Sequence, residues 1–163
     1  MKNIIGVMQG RLLPKYLGRY QAHPVGYWKE EFPIAKRLGL DCIEFIFDFN
    51  DYHKNPLLLD EGIEEILSIS KKTDVKVLSV CADYFMVAPL HSNDEEISEQ
   101  SLKILKKLID NSSALGIKDI VIPCVDQSSL KDKDDRSRLI GAMKKILHRI
   151  EKKDVNLFFH FQI

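Results

Sequence analysis

Five short, strongly apolar segments recurring roughly every 38 residues leave few folds open to this chain. They are Ile4–Met8, Cys42–Phe47, Val75–Cys81, Ile120–Ile122 and Val155–Phe161. Each has strand length and is apolar at most positions, the pattern of strands covered on both faces of a parallel sheet. The intervening segments have helical spacing instead. Leu59, Ile63, Ile66 and Leu67 make one stripe, and Leu102, Leu105, Leu108 and Ile109 a second. Leu139, Met143, Ile146, Leu147 and Ile150 make a third. An earlier helix over Trp28 to Leu38 contains Pro33, so it begins late or is kinked. Strand, helix, strand at this period means parallel strands joined by crossovers.

The ends of these segments carry matching signals. Ser92-Asn93-Asp94-Glu95 reads as a capping box, with Ser92 as N-cap and Glu95 reaching back. Gly39 and Gly116 each follow a leucine where a left-handed helix terminus favours glycine. Lys71, Lys72, Lys152 and Lys153 close two of the helices, where cations suit the dipole. A faint repeat links Leu38-Gly39-Leu40-Asp41-Cys42-Ile43 to Leu115-Gly116-Ile117-Lys118-Asp119-Ile120, and Lys72-Thr73-Asp74-Val75 to Lys153-Asp154-Val155. No linker or low-complexity tract interrupts the chain, so residues 1–163 read as one domain.

Two architectures accommodate five parallel strands. One is a doubly wound sheet of the flavodoxin type. The other is the first part of a (β/α)8 barrel, whose eight units would need on the order of 300 residues. The segment Phe158-Phe159-His160-Phe161-Gln162-Ile163 has no helix after it, which favours the barrel. The expected fold is therefore a partial (β/α)8 barrel of about five parallel strands and four helices, open on one side. Openness predicts apolar surface around Phe159, Phe161 and Ile163, and an associating or marginally stable protein.

Composition removes several classes of function. Lys plus Arg and Asp plus Glu are 24 each, so no net field draws the chain to nucleic acid or an anionic membrane. No apolar run is long enough to span a bilayer, and Met1-Lys2-Asn3-Ile4 is not a signal peptide. Cys42, Cys81 and Cys124 are odd in number and widely spaced, against both a disulfide framework and a zinc site. A reducing, cytoplasmic setting is expected.

In either architecture ligands meet the C-terminal ends of the strands. Gln9, Gly10 and Arg11 follow the first strand, Glu44 to Asp48 end the second, and Asp83 ends the third. Arg11 suits a phosphate or carboxylate, or else a salt bridge to a neighbouring strand. Glu44 lies inside an apolar run, so its charge is either paired, with Arg11 for example, or exposed at the mouth to a polyol or a metal ligand. Asp83 has the same choices. His160 is a weak candidate for a metal ligand or acid–base group, a ring held by a core carbonyl being the commoner outcome. His91 reads as a surface histidine. Phosphate-cradling loops and the G-x-S-x-G elbow are missing.

The run Gly6-Val7-Met8-Gln9-Gly10-Arg11-Leu12 resembles the opening of sugar-phosphate isomerase/epimerase proteins of the xylose isomerase-like TIM barrel superfamily. The resemblance continues through residues 35–44, which end in Glu44, through Val77 to Met86, and through Leu115-Gly116-Ile117 to Ile120-Val121-Ile122-Pro123. It covers about residues 4 to 158. It implies metal-assisted aldose–ketose isomerisation or epimerisation, with a divalent ion and a carboxylate base acting on a sugar or sugar phosphate. It also implies a ligand set of Glu, Asp, His and Glu drawn from strand five onward, where this chain reads Phe158-Phe159-His160-Phe161-Gln162-Ile163.

Gln9, Arg11, Glu44 and Asp83 are then the expected substrate-binding residues. No catalytic residue, metal ligand or bound cofactor is expected in this chain, although a divalent metal is expected for a full-length family member. Two readings follow. The chain is the N-terminal portion of such an enzyme, shortened or frame-shifted and inactive alone. Alternatively, it is an assembly module whose open strand edges pair with a second copy or a separate C-terminal half. The superfamily also includes endonucleases acting on abasic DNA, which zero net charge and the missing ligands disfavour.

Overall fold

A computed structural model describes residues 3–161. Its five strands are β1 (Gly6–Met8), β2 (Cys42–Ile46), β3 (Lys76–Cys81), β4 (Asp119–Cys124) and β5 (Asn156–Phe161). All pair in parallel, and their order across the sheet is their order along the chain. A flavodoxin-type sheet would place its first strand inside the sheet. Here β1 and β5 are the two edges, which is the order of an opened barrel.

The helices are α1 (Glu31–Arg37), α2 (Asp60–Thr73), α3 (Tyr84–Val87), α4 (Glu95–Leu115), α5 (Lys133–Lys144) and α6 (Leu147–Lys153). The four expected connecting helices are present, the last divided near Lys145 and Ile146. The single turn α3 is added after β3. Trp28–Glu30 forms a 3-10 turn and α1 starts only at Glu31, which places Pro33 in the first turn where it is tolerated. The N-cap of α4 is Asp94, not Ser92. The Asp94 carboxylate accepts from the amides of Glu96 and Ile97, while Ser92 Oγ accepts from Asp94 N. Glu95 is thus the first helical residue and cannot close the expected capping box. No helix among the described residues is long and apolar enough to cross a membrane.

The faint repeat has a backbone cause. Each of α1, α2, α4 and α6 leads into the next strand through a residue at positive φ: Gly39 at 75°, Asp74 at 58°, Gly116 at 75° and Asp154 at 53°. This left-handed residue terminates the helix and turns the chain back toward the sheet.

Alternation in the strands separates two faces. Ile43, Phe45, Phe47, Ile120, Ile122 and Cys124 belong to a continuous core packed under the helices. Met8, Glu44, Cys81, Val121, Pro123 and His160 face the other way, into a cleft. Covering on both faces holds best for the central strands. In β5, Phe158 is 52% exposed and Phe161 46%, whereas Phe159 packs partly against the core, so the apolar surface centres on Phe158 and Phe161. Ile163 lies outside the described residues.

The helix termini make a paired prediction. Gly116→Ala should lower the unfolding free energy by about 1 kcal/mol, because alanine resists positive φ. Asp74→Gly should raise it by up to about 1 kcal/mol, since the exposed Lys36–Asp74 pair that it removes contributes little. Urea unfolding of the two variants checks the opposite signs.

Candidate functional site

Parallel strands in chain order bring every strand's C-terminal end to one rim, where the structure has an open cleft of about 680 Å³. Glu44 enters from β2, Cys81 from β3, Val121 and Pro123 from β4, and His160 from β5. Asp83, Arg19, Gln21, Asp48 and Phe49 come from the loops that follow β1, β2 and β3.

A register shift aims part of this lining. Ile43 pairs with Val77 but Glu44 pairs with Ser79, so Leu78 is the extra residue of a bulge. The shift sets Ser79 opposite Glu44, and Ser79 Oγ donates to Glu44 Oε1 at 2.8 Å. Glu44 is therefore held by a neutral hydroxyl and not by Arg11. One pleat further on, Cys81 Sγ donates to Asp83 Oδ1 at 3.1 Å. Burial pushes the Asp83 carboxyl above its ordinary value; the Cys81 thiol pulls it back, and the nearby Asp48 carboxylate pushes it up again. Burial, reinforced by Asp83, raises the Cys81 thiol strongly, and burial pushes Cys124 up to about 11. Both are therefore protonated thiols at neutral pH.

The loop between β1 and α1 covers one side of the mouth and is fixed by buried polar groups. Gln9 is fully buried, its Oε1 accepting from Ile46 N at 3.0 Å and facing His23 Nδ1 at 3.1 Å. Because that oxygen is an acceptor, His23 Nδ1 carries the proton in this network. Asp48 accepts from His23 N at 2.9 Å through Oδ2 and from Arg19 Nη2 at 3.2 Å through Oδ1. Glu31, at the start of α1 and buried, accepts from Gly10 N at 2.9 Å and Leu12 N at 3.0 Å. Gly10 has φ +81°, and a Cβ there would lie 2.1 Å from the Tyr20 carbonyl oxygen, so only glycine admits the strand of loop crossing it.

The sequence matches a family and the geometry a known fold. The sequence model of the xylose isomerase-like TIM barrel matches residues 32–161. The chain belongs to that family. L-ribulose-5-phosphate 3-epimerase UlaE of Salmonella typhimurium (strain LT2) is 31% identical over 147 residues, 86% of this chain and 51% of the relative. The same enzyme of Escherichia coli (strain SMS-3-5) is 29% identical over the same shares. The chain spans about half the length of the curated relatives it matches.

D-psicose 3-epimerase from Clostridium cellulolyticum H10, solved with D-tagatose, shares the fold with a TM-score of 0.70 at 16% identity, over 94% of this chain and 51% of its own. The 3-keto-D-glucoside 4-epimerase of E. coli does so with a TM-score of 0.67 at 18% identity, over 97% and 56%.

The described residues of this xylose isomerase-like chain do not assemble a site for the divalent ion implied by the sequence resemblance. Among the described residues no three His, Cys, Asp or Glu side chains are grouped to hold a metal. Glu44 and Asp83 line the cleft, whereas Gln9 is sealed beneath it, at the junction of β1 and β2. Arg11 is exposed at the rim, with Nη2 donating to Gln21 Oε1 at 3.2 Å. His160 is exposed on the cleft-facing side of β5 rather than held in the core. His91 is buried, not on the surface, and its carbonyl accepts from Arg138 Nε at 2.8 Å. The sequence placed Asp48 at the end of the second strand without giving it a role, and did not single out Arg19, His23 or Glu31. Asp48 directly follows the apolar run of β2, a position that marks a strand end; Arg19 and His23 lie in a loop with no register to betray them, and Glu31 reads as an ordinary acidic residue in the first turn of a helix.

His23 gives the site a pH dependence. Burial lowers its pKa from 6.5 to about 3, against Trp28 and Phe45 rings at 6.3 and 5.8 Å. The unfolded chain takes up this proton near pH 6.5 and the folded chain only near pH 3. Stability is therefore whole above pH 6.5 and is lost as pH falls, by up to about 1.4 kcal/mol per unit. Between pH 6.5 and 4.5 the chain should lose about 2–3 kcal/mol more than a His23→Phe variant, read by denaturant unfolding at each pH. Glu31→Ala, which strands the buried amide of Gly10 and the half-buried amide of Leu12, should cost about 2–3 kcal/mol in the same assay at pH 7.

Proposed function

We propose that this chain forms the substrate-shaping half of the mouth of a sugar or sugar-phosphate isomerase/epimerase barrel, and that it does not turn over substrate alone. The observation that carries this reading is the cleft at the strand ends, with Glu44 presented to it from β2 and Asp83 from the turn that follows the adjacent β3. Carboxylate oxygens accept hydrogen bonds from sugar hydroxyls, and Phe49 and Met86 beside them offer apolar contact to a carbon backbone. Gln9 acts from below, holding the end of β1 to β2, and Arg11 acts at the rim through Gln21. The relatives named as epimerases of ribulose 5-phosphate and psicose support a ketose or its phosphate as the ligand.

Epimerisation next to a carbonyl needs a base for the carbon-bound proton and a stabiliser for the enediolate charge. In this chain Glu44 and Asp83 are tied to Ser79 and Cys81, and no described cluster of side chains supplies the second function. The reading therefore assigns binding to this half and chemistry elsewhere.

A second reading is favoured by the sheet itself. Both β1 and β5 are edges, and Phe158 and Phe161 leave apolar surface along the longer one. In that reading the chain completes a barrel by pairing with another chain.

With Mn2+ or Mg2+ supplied, the chain should bind L-ribulose 5-phosphate weakly, on the order of millimolar, and leave it unconverted. Glu44→Ala should weaken that binding about tenfold. Chelator-sensitive formation of the 3-epimer by the chain alone overturns the proposal. For the second reading, sedimentation should show a defined dimer; a clean monomer at high concentration counts against it.

A further inference from the structure

The ionisable lining of the cleft is lopsided. Glu44, Asp48 and Asp83 contribute three carboxylates, Cys81 a thiol and His160 an imidazole, while Arg19 is the one guanidinium among the described lining residues. That guanidinium is already engaged, lying 3.2 Å from Asp48 Oδ1. Glu44 and Asp83 instead take neutral donors, the Ser79 hydroxyl and the Cys81 thiol. Each carboxylate keeps acceptor capacity beyond that single bond. Much of the remaining wall is apolar. Phe49 is 38% exposed and is steadied by Tyr84 and Tyr52, with ring centroids at 5.3 and 6.3 Å. Met86 and Val87 lie beside it in the same cleft.

These groups choose between the two ends of a sugar phosphate. A phosphate brought to this wall would meet like charge, with the lining guanidinium of Arg19 already held by Asp48 and that of Arg11 outside it, at the rim on Gln21. A hydroxylated carbon chain meets no such penalty. Its O–H groups donate to carboxylates, among the stronger hydrogen bonds, and its C–H faces lie against the aromatic and aliphatic side chains.

We infer that this cleft seats an uncharged polyhydroxyl segment through Glu44 and Asp83 and excludes phosphate from that wall. An ester on the same ligand points away from these two carboxylates. The inference rests on the sugar-seat reading above and adds to it which part of the ligand lies here.

Two titrations of the full chain, followed through the backbone amide NMR signals of Glu44, Asp83 and Phe49, test it. D-Ribulose should move these signals saturably, and inorganic phosphate in excess should neither move them nor displace the ketose. Glu44→Gln with Asp83→Asn should weaken D-ribulose binding by at least about fivefold, with the rest of the spectrum confirming the fold. Phosphate that shifts these three signals or competes with D-ribulose overturns the inference while leaving the sugar seat standing. A chain whose signals respond to neither probe removes the sugar seat and the inference with it.

Discussion

Parallel pairing in chain order is the constraint from which the rest of the molecule follows. Every strand runs in the same direction and neighbours its successor, so all five C-terminal ends reach one rim. Side chains far apart in sequence, such as Glu44, Asp83 and His160, share a cleft without any local motif to connect them. Backbone geometry makes this order cheap to build, because helix after helix ends on a left-handed residue that redirects the chain to the sheet. Within the ladder, the bulge at Leu78 then moves Ser79 into reach of Glu44.

Polar burial around the mouth follows one rule, that a group withdrawn from water finds a partner in the loop or on the strand beside it. Glu31 accepts from the amides of the turn that follows β1, and Gln9 accepts from the neighbouring strand. The exceptions are instructive. Gln9 Nε2 and His23 Nε2 are buried with no hydrogen-bond partner in the structure, and both belong to the contact that joins the loop to the sheet. The aromatic surroundings of His23 favour its neutral form, which is why burial depresses its proton affinity so far.

Periodicity made the architecture legible, because a strand buried against helices has to be apolar whatever ligand the protein takes. Glu44 and Asp83 were legible for the converse reason: a carboxylate at a strand end in an apolar run has few places to go but the mouth. Gln9 shows the limit of that logic. It too follows a strand, yet the loop folds over it, and the fold-over is set by the adjoining Gly10 and by the distant Glu31 rather than by any strand period. Arg19 and His23 sit in a loop without regular period, so nothing in their spacing announces that Asp48 gathers both. Ser92 was the plausible cap by residue type, but the Asp94 carboxyl accepts from the first-turn amides, and the helix begins at the next residue.

Asp48 is attached in two different ways, and they respond to the solvent differently. One oxygen faces Arg19, whose side chain is 45% exposed and open to dissolved ions, while the other binds the amide of buried His23. Concentrated electrolyte weakens the first attachment far more than the second. Brine would thus strip the entrance of its arginine while the peptide beneath stays pinned, separating the pocket's polarity from its shape.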